Sequence, residues 1–292
     1  MNRIKGILYA AVSSSTFGLA PFFSITLLLA GFSAFEVLSY RWGVASIVLI
    51  VFGWLSGCNF RLAGKDWGFV FLLSLLRAVT SFSLIIAYQN IASGVASTIH
   101  FMYPLAVALA MMFFFREKKS LLVILAVLMS LLGAALLSLG ELEAKSGNTM
   151  VGLVAACVSV FSYAGYIVGV RTTRAVQINS TALTCYVMGL GTIFYLIGAY
   201  CTSGLQLVSD GYTWLIILGL ALPATAISNI TLVQAIKYAG PTLTSILGAM
   251  EPLTAVVIGV FVFKELFTVN SAVGIILILL AVSIVVFRRQ KS

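Results

Sequence analysis

Long apolar runs broken only by short polar turns follow one another along the whole chain, at 4–29, 34–56, 67–89, 93–115, 120–139, 149–170, 180–201, 212–236, 242–263 and 269–287. Each approaches the roughly 20 helical residues needed to cross about 30 Å of hydrocarbon. The pattern therefore predicts an all-α integral membrane protein of ten transmembrane helices. The turns leave no space for a separate soluble domain. The first run follows Arg3 and Lys5 as a signal peptide would, but it is too long for one and leads straight into more spans, so it reads as a retained helix.

Composition agrees with that pattern. With 61% apolar residues, 9% charged residues and a mean hydropathy of +1.13, the chain needs lipid as its solvent. The formal charge of +9 does not indicate nucleic acid, because the basic residues are spread over many turns rather than gathered on one segment. They alternate between sides instead. With the N-terminus cytoplasmic, thirteen of the 17 basic residues fall inside, Lys145 and Lys264 fall outside, and Arg41 and Arg77 are embedded. This bias places both termini in the cytoplasm. Trp54, Trp67 and Trp214 fall near predicted interfaces, where amphipathic rings settle. The four cysteines lack metal-ligand spacing and read as packing residues.

The chain also repeats itself. An offset of 148 aligns Ala92–Glu117 with Gly240–Glu265 without a gap and matches Ser97, Met102, Pro104, Leu105, Phe113, Phe115 and Glu117 to identical residues. The same offset sets Arg77, Thr80 and Ser81 of the third span on Thr225, Ser228 and Asn229 of the eighth. An offset of 146 matches Gly6, Ala10, Val12 and Ser13 to Gly152, Ala156, Val158 and Ser159. Near-constant offsets over four pairs of spans predict two halves, 1–140 and 149–292, the second ending in a short cytoplasmic tail, with an extracytoplasmic connector at 141–148. Five spans per half is an odd number, so the halves enter the membrane from opposite sides. Inverted repeats of this kind typify transporters that alternate access around a site near the midplane.

Tyr88-Gln89-Asn90, Tyr103-Pro104-Leu105 and Arg116-Glu117 in the first half, with Ala235-Ile236-Lys237-Tyr238, Met250-Glu251-Pro252-Leu253 and Lys264-Glu265-Leu266 in the second, resemble the EamA-like branch of the drug/metabolite transporter superfamily. The resemblance runs over essentially the whole chain. It implies ten spans in two inverted five-helix repeats, a multi-pass place in the cell inner membrane, and a central cavity lined by spans 1, 3, 4, 6, 8 and 9. The first half departs from the family pattern at Tyr103, where an acid is expected before proline, and at Arg77 within the third span.

Several embedded residues carry chemistry that lipid makes expensive. Arg41 and Arg77 lie roughly 12 and 15 Å into their spans and Glu251 roughly 13 Å into its own, at 1.5 Å per helical residue. Either arginine is suited to a substrate carboxylate or phosphate, or to pairing with Glu251. Glu251 is open to substrate binding, proton transfer or a structural tie between helices. His100, the only histidine, is a candidate proton carrier or a helix contact. Thr80, Ser81, Thr225, Ser228 and Asn229 form polar faces fit for a cavity or for helix packing. Tyr103 and the aromatic residues Phe17, Tyr88, Tyr163 and Tyr166 serve stacking or packing. Pro104 and Pro252 remove amide donors at matched positions and mark hinges or kinks.

No nucleophile–base pair, metal cluster or phosphate loop is present in the sequence pattern, so neither an enzyme nor a cofactor or metal site is expected. Channel and receptor readings lack a filter or a signalling surface. The expected function is secondary transport, without ATP, of a small polar metabolite such as an amino acid or related zwitterion or organic anion. Resemblance favours export. The competing reading is multidrug efflux of organic cations, coupled to protons through Glu251. A small-molecule substrate and membrane lipid are the expected partners, nucleic acid is not, and a homodimer stays open.

Overall fold

The computed structural model describes residues 2–91, 93–117, 120–138, 147–202, 204–254 and 268–288. The structure is 84% helix, and no strand occurs among the described residues. The helices are α1 (Asn2–Phe17), α2 (Ala20–Leu29), α3 (Ala34–Leu55), α4 (Trp67–Asn90), α5 (Ser93–His100), α6 (Tyr103–Phe113), α7 (Leu121–Ser138) and α8 (Thr149–Thr172). They continue as α9 (Ser180–Cys201), α10 (Gly211–Ala221), α11 (Ser228–Ala239), α12 (Pro241–Leu247) and α13 (Val269–Arg288). Seven stretches among them are long and apolar enough to cross a membrane, and Leu121–Gly133 and Ala272–Ile284 are shorter apolar helices. The predicted ninth span is described from Pro241 to Thr254. Its remainder, the predicted connector up to 146, Lys264–Glu265–Leu266 and the basic tail beyond Arg288 lie outside the described residues.

Among the described residues, four of the predicted spans are not continuous α-helix, and a proline lies just after or within each irregularity. The first breaks at Gly18–Leu19 ahead of Pro21, the fourth at Phe101–Met102 ahead of Pro104, and the ninth at Gly248–Ala249 ahead of Pro252. At each break the turn tightens to an i→i−3 bond: Leu19 N to Thr16 O at 3.3 Å, Met102 N to Ile99 O at 2.9 Å and Ala249 N to Ile246 O at 3.1 Å. Proline supplies no amide and its ring clashes with the preceding turn, so the helix re-forms one step on. Helix breaks thus stand ahead of Pro104 and Pro252, and another ahead of Pro21, a position not singled out from sequence. In the eighth span the chain instead widens into a π-helical turn, Leu222–Ile227, with Pro223 in its first turn.

The fifth proline, Pro241, opens α12 after Gly240, whose φ of +86° lets α11 stop and the chain reverse within a single residue.

Helix packing follows an exchange between the two halves. Counting spans as the hydrophobic pattern does, the first packs along the eighth (α1 with α11) and the third along the sixth (α4 with α8), and each of these pairs maps onto the other when the halves are swapped. The second packs on the seventh (α3 with α9), the fourth on the ninth (α6 with α12) and the fifth on the tenth (α7 with α13). Neither half is a separate bundle. Close approach is set locally by small residues: a Cβ at Gly191 on α9 would lie 2.1 Å from the Trp42 ring of α3, so the indole fills the space a side chain would take.

Candidate functional site

The polar residues singled out in the third and eighth spans meet in the middle of the bundle. Arg77 of α4 is 1% exposed and donates through Nε to Asn229 Oδ1 of α11 at 3.0 Å. Arg41 of α3, also buried, donates through Nε to Thr225 Oγ1 at 2.7 Å. The π-helical turn makes this possible. Thr225 Oγ1 donates to Leu220 O at 2.7 Å, five residues back, and keeps its lone pairs for the guanidinium. Asn229 Nδ2 donates to Thr225 O at 2.8 Å, which fixes the amide so that its oxygen faces Arg77. One widened turn therefore presents acceptors to both arginines.

Aromatic faces surround the same charges. The Arg77 Cζ lies 4.9 Å from the Tyr163 ring centre, 5.3 Å from Phe17 and 5.9 Å from Tyr166, and the Arg41 Cζ lies 5.5 Å from Phe17. Phe17, Tyr163 and Tyr166, which the sequence offers only as general stacking candidates, thus form part of the site. Desolvating a guanidinium costs several kcal/mol, and a desolvated cation–π contact returns about 2 kcal/mol. The neutral acceptors and rings leave the charge only partly compensated. Arg41 Nη2 is buried with no hydrogen-bond partner.

Glu251 does not pair with either arginine. It is buried, 8% exposed, yet among the described residues the only ion pair is Arg174 Nε to Asp66 Oδ1 at 2.7 Å, at one end of the bundle. In place of the pairing with Glu251 considered from sequence, the arginines bond Thr225 and Asn229 on the face of the eighth span.

A second group lies beside the first. His100, at the end of α5, joins Ser159 Oγ of α8 through Nδ1 at 2.8 Å. Since Ser159 Oγ donates to Ala156 O at 2.6 Å, a neutral ring carries its proton on Nδ1 and leaves Nε2 as a buried acceptor with no partner. The imidazole stacks on Tyr163 at 5.3 Å, and Tyr163 meets the Tyr103 ring at 4.6 Å. The Tyr166 hydroxyl is likewise buried without a partner.

The helix breaks converge here. A Cβ at Gly248 would lie 1.7 Å from the Tyr103 hydroxyl, and one at Gly18 would lie 2.7 Å from Glu251 O, so the irregular segments of the first and fourth spans each touch that of the ninth.

A narrow cleft leads from this centre. Phe17, Ser24, Arg41, Arg77, Thr80, Ser81 and Tyr88 line it, together with apolar residues of α2 and α4, around a space of only about 10 Å³. It is too constricted to hold a metabolite as it stands. Thr80 Oγ1 is also bonded to Ser162 Oγ at 2.9 Å. Thr225, Ser228, Asn229, His100, Tyr103 and Glu251 are outside the cleft lining and form its inner neighbourhood. Ser228 contributes its carbonyl to Ser13 Oγ at 2.8 Å, a helix tie rather than a cleft contact.

The cleft follows the second half of the first span and the second half of α4, whereas the end of the bundle at which the chain begins is closed. There a Cβ at Gly6 would lie 2.8 Å from Ala239 Cβ, Arg171 Nη1 donates to Lys237 O at 3.1 Å, and Thr242 Oγ1 donates to Glu117 Oε2 at 2.6 Å. Lys237 Nζ in turn donates to Ile178 O.

Comparison with known proteins agrees with this architecture. A model of the EamA-like transporter family matches the chain twice, over residues 4–139 and 150–287. Comparison with curated proteins gives no match. Among solved structures, one titled only as the crystal structure of a protein is similar in fold, with a TM-score of 0.79 over 97% of this chain and 96% of its own and with 17% sequence identity. Two matches that together take in nearly every residue, on a bundle of interlocked apolar helices, place this chain in the EamA-like transporter family of the drug/metabolite transporter superfamily, as a multi-pass membrane transporter.

Proposed function

We propose that the protein is a secondary transporter of a small polar metabolite bearing a carboxylate or comparable anionic group, an amino acid or related zwitterion or organic anion. It crosses the inner membrane ten times with both termini cytoplasmic, and it works by alternating access between two inverted halves. The observation that carries the reading is the pair of buried arginines, Arg41 and Arg77, which hold neutral acceptors and no carboxylate among the described residues. A substrate carboxylate entering the cleft would complete their compensation through charge-assisted bonds that water or an asparagine cannot match. With the basic chain ends inside, the cleft runs toward the outer side and the closed end is cytoplasmic. Rocking of the halves would reverse this, and export is the direction we assign to net flow.

Multidrug efflux of cations is the second reading. It is favoured by Glu251, a buried carboxyl without an ion-pair partner among the described residues. Two cations close to any positively charged ligand count against it.

The two readings separate in proteoliposomes. Counterflow of labelled amino acids, organic anions and organic cations would be compared for the native protein, Arg77→Ala and Glu251→Gln. Saturable exchange of an anion or zwitterion that disappears in Arg77→Ala supports the proposal. Exchange confined to cations and dependent on Glu251 replaces it with the second reading.

A further inference from the structure

A second hollow lies away from the arginines, on the outer surface of the bundle. It is a groove with room for about 440 Å³, between the second half of α3, the start of α4 and the first half of α9, and it is lined mainly by Ile50, Phe60, Trp67, Tyr186, Leu190 and Ile193. It opens sideways, toward where the hydrocarbon would lie: Ile50 is 51% exposed and Ile193 52% exposed. From Cys185 to Ile193 it extends about 12 Å along α9, at 1.5 Å per residue.

The groove is built rather than left over. Tyr186 donates its hydroxyl to Phe60 O at 2.5 Å, and its ring meets Trp67 at 5.4 Å and Phe60 at 6.4 Å, so three aromatics are fixed around one end. Gly189 leaves the floor open, since a Cβ there would meet nothing within 4 Å.

The aromatic end is also the charged end. Phe60 is followed by Arg61, and Trp67 is preceded by Lys65 and by Asp66, whose carboxylate already holds Arg174. Arg61 and Lys65 are exposed, and Asp66 is the one acid in the turn. A hollow with an apolar wall, an aromatic collar at headgroup level and surplus positive charge beside the collar matches one amphiphile, with an acyl chain below and an anionic group above.

We infer that this groove is a binding site for an anionic phospholipid, one acyl chain lying along α9 over Gly189 and the headgroup phosphate held beside Arg61 and Lys65. The occupant wedges between α3, α4 and α9, two of which carry Arg41 and Arg77, so lipid composition acts on the helices that frame the cleft. The inference does not depend on which substrate the protein moves.

The test is native mass spectrometry of the full-length protein released from nanodiscs containing equal amounts of phosphatidylglycerol and phosphatidylcholine. Phosphatidylglycerol should be retained preferentially. Gly189→Trp, which fills the groove without meeting a neighbour at its Cβ, should abolish that retention. Arg61→Ala and Lys65→Ala should each weaken it about fivefold, as expected for loss of one basic residue near an anionic surface. Thermal unfolding of each variant in detergent checks that it is folded; should Gly189→Trp not fold, Gly189→Leu takes its place. Equal retention of the two lipids, or undiminished phosphatidylglycerol in either the groove-filling or the charge-removing variants, overturns the inference.

Discussion

Arg77 Nε and Asn229 Oδ1 are 3.0 Å apart, although they belong to different halves of the chain. Under the 148-residue offset Asn229 is the counterpart of Ser81, which lies one turn beyond Arg77 on α4. The two polar faces related by the internal repeat therefore close on each other instead of each serving its own half. A single site results, and any rocking of one half against the other has to strain or exchange this contact.

Removing the acceptor should reveal the dependence. Asn229→Leu leaves a buried guanidinium short of a partner and is expected to destabilise the protein by about 1–3 kcal/mol. Arg77→Lys retains the charge but loses the planar donor that Asn229 receives and the stacking area over Tyr163, so transport should fall sharply with little change in folding. Unfolding midpoints in detergent and initial rates in proteoliposomes give the two readouts. Native transport rates in Arg77→Lys would reduce the role of Arg77 to that of a point charge.

The contact between the broken helices predicts a rescue. Gly248→Ala forces a methyl group onto the Tyr103 hydroxyl and should lower the unfolding midpoint, because 1.7 Å is far inside contact distance. Adding Tyr103→Phe removes that oxygen and should restore part of the loss, leaving the approaches of 2.8 Å to Ser245 O and 3.0 Å to the ring Cζ as the remaining strain. Equal destabilisation in the single and double variants would mean that the clash is relieved elsewhere.

Much of this was legible beforehand, and particular residues explain which parts. The apolar runs announce themselves by length, and the Pro104 and Pro252 breaks by matched position. The third and eighth spans show their polar faces because Arg77, Thr80 and Ser81 align with Thr225, Ser228 and Asn229. Pro21 gave no comparable signal, since no equivalent proline occurs in α8. The π-helical turn was invisible because one extra residue in a turn alters neither composition nor hydropathy. Yet that turn brings Thr225 and Asn229 to the arginines. Sequence spacing shows which residues share a face but not which face a neighbouring helix presents, so partners such as Asn229 for Arg77 had to come from packing.

One helix start carries a pH dependence outside the membrane. Asp210 caps α10, its Oδ2 accepting from Thr213 N at 2.7 Å, and this bond holds its carboxyl below the usual carboxylate range. A depressed folded value means that the cap contributes fully above the ordinary carboxylate value and is lost as pH falls through the lowered one. Protection of the Thr213 amide against hydrogen exchange should therefore decline as pH falls below the ordinary carboxylate value. In Asp210→Ala the protection should be low throughout, and equal protection with and without the carboxylate would show the cap to be inert.

The closed end offers a direct test of movement. Gly6 and Ala239 pack so closely that a Cβ on the former would be 2.8 Å from the latter's. A slight local shift brings cysteines there to the roughly 3.5–4.5 Å between Cβ atoms that a disulfide requires. In a background lacking Cys58, Cys157, Cys185 and Cys201, Gly6→Cys with Ala239→Cys should cross-link on mild oxidation. The cross-link ties the first span to the eighth and fixes the end where the chain begins. If transport requires that end to open, counterflow should stop on oxidation and return on reduction, whereas each single cysteine variant should be indifferent to both. Undiminished counterflow in fully cross-linked protein would show that α1 and α11 move as one body and that opening occurs between other helices.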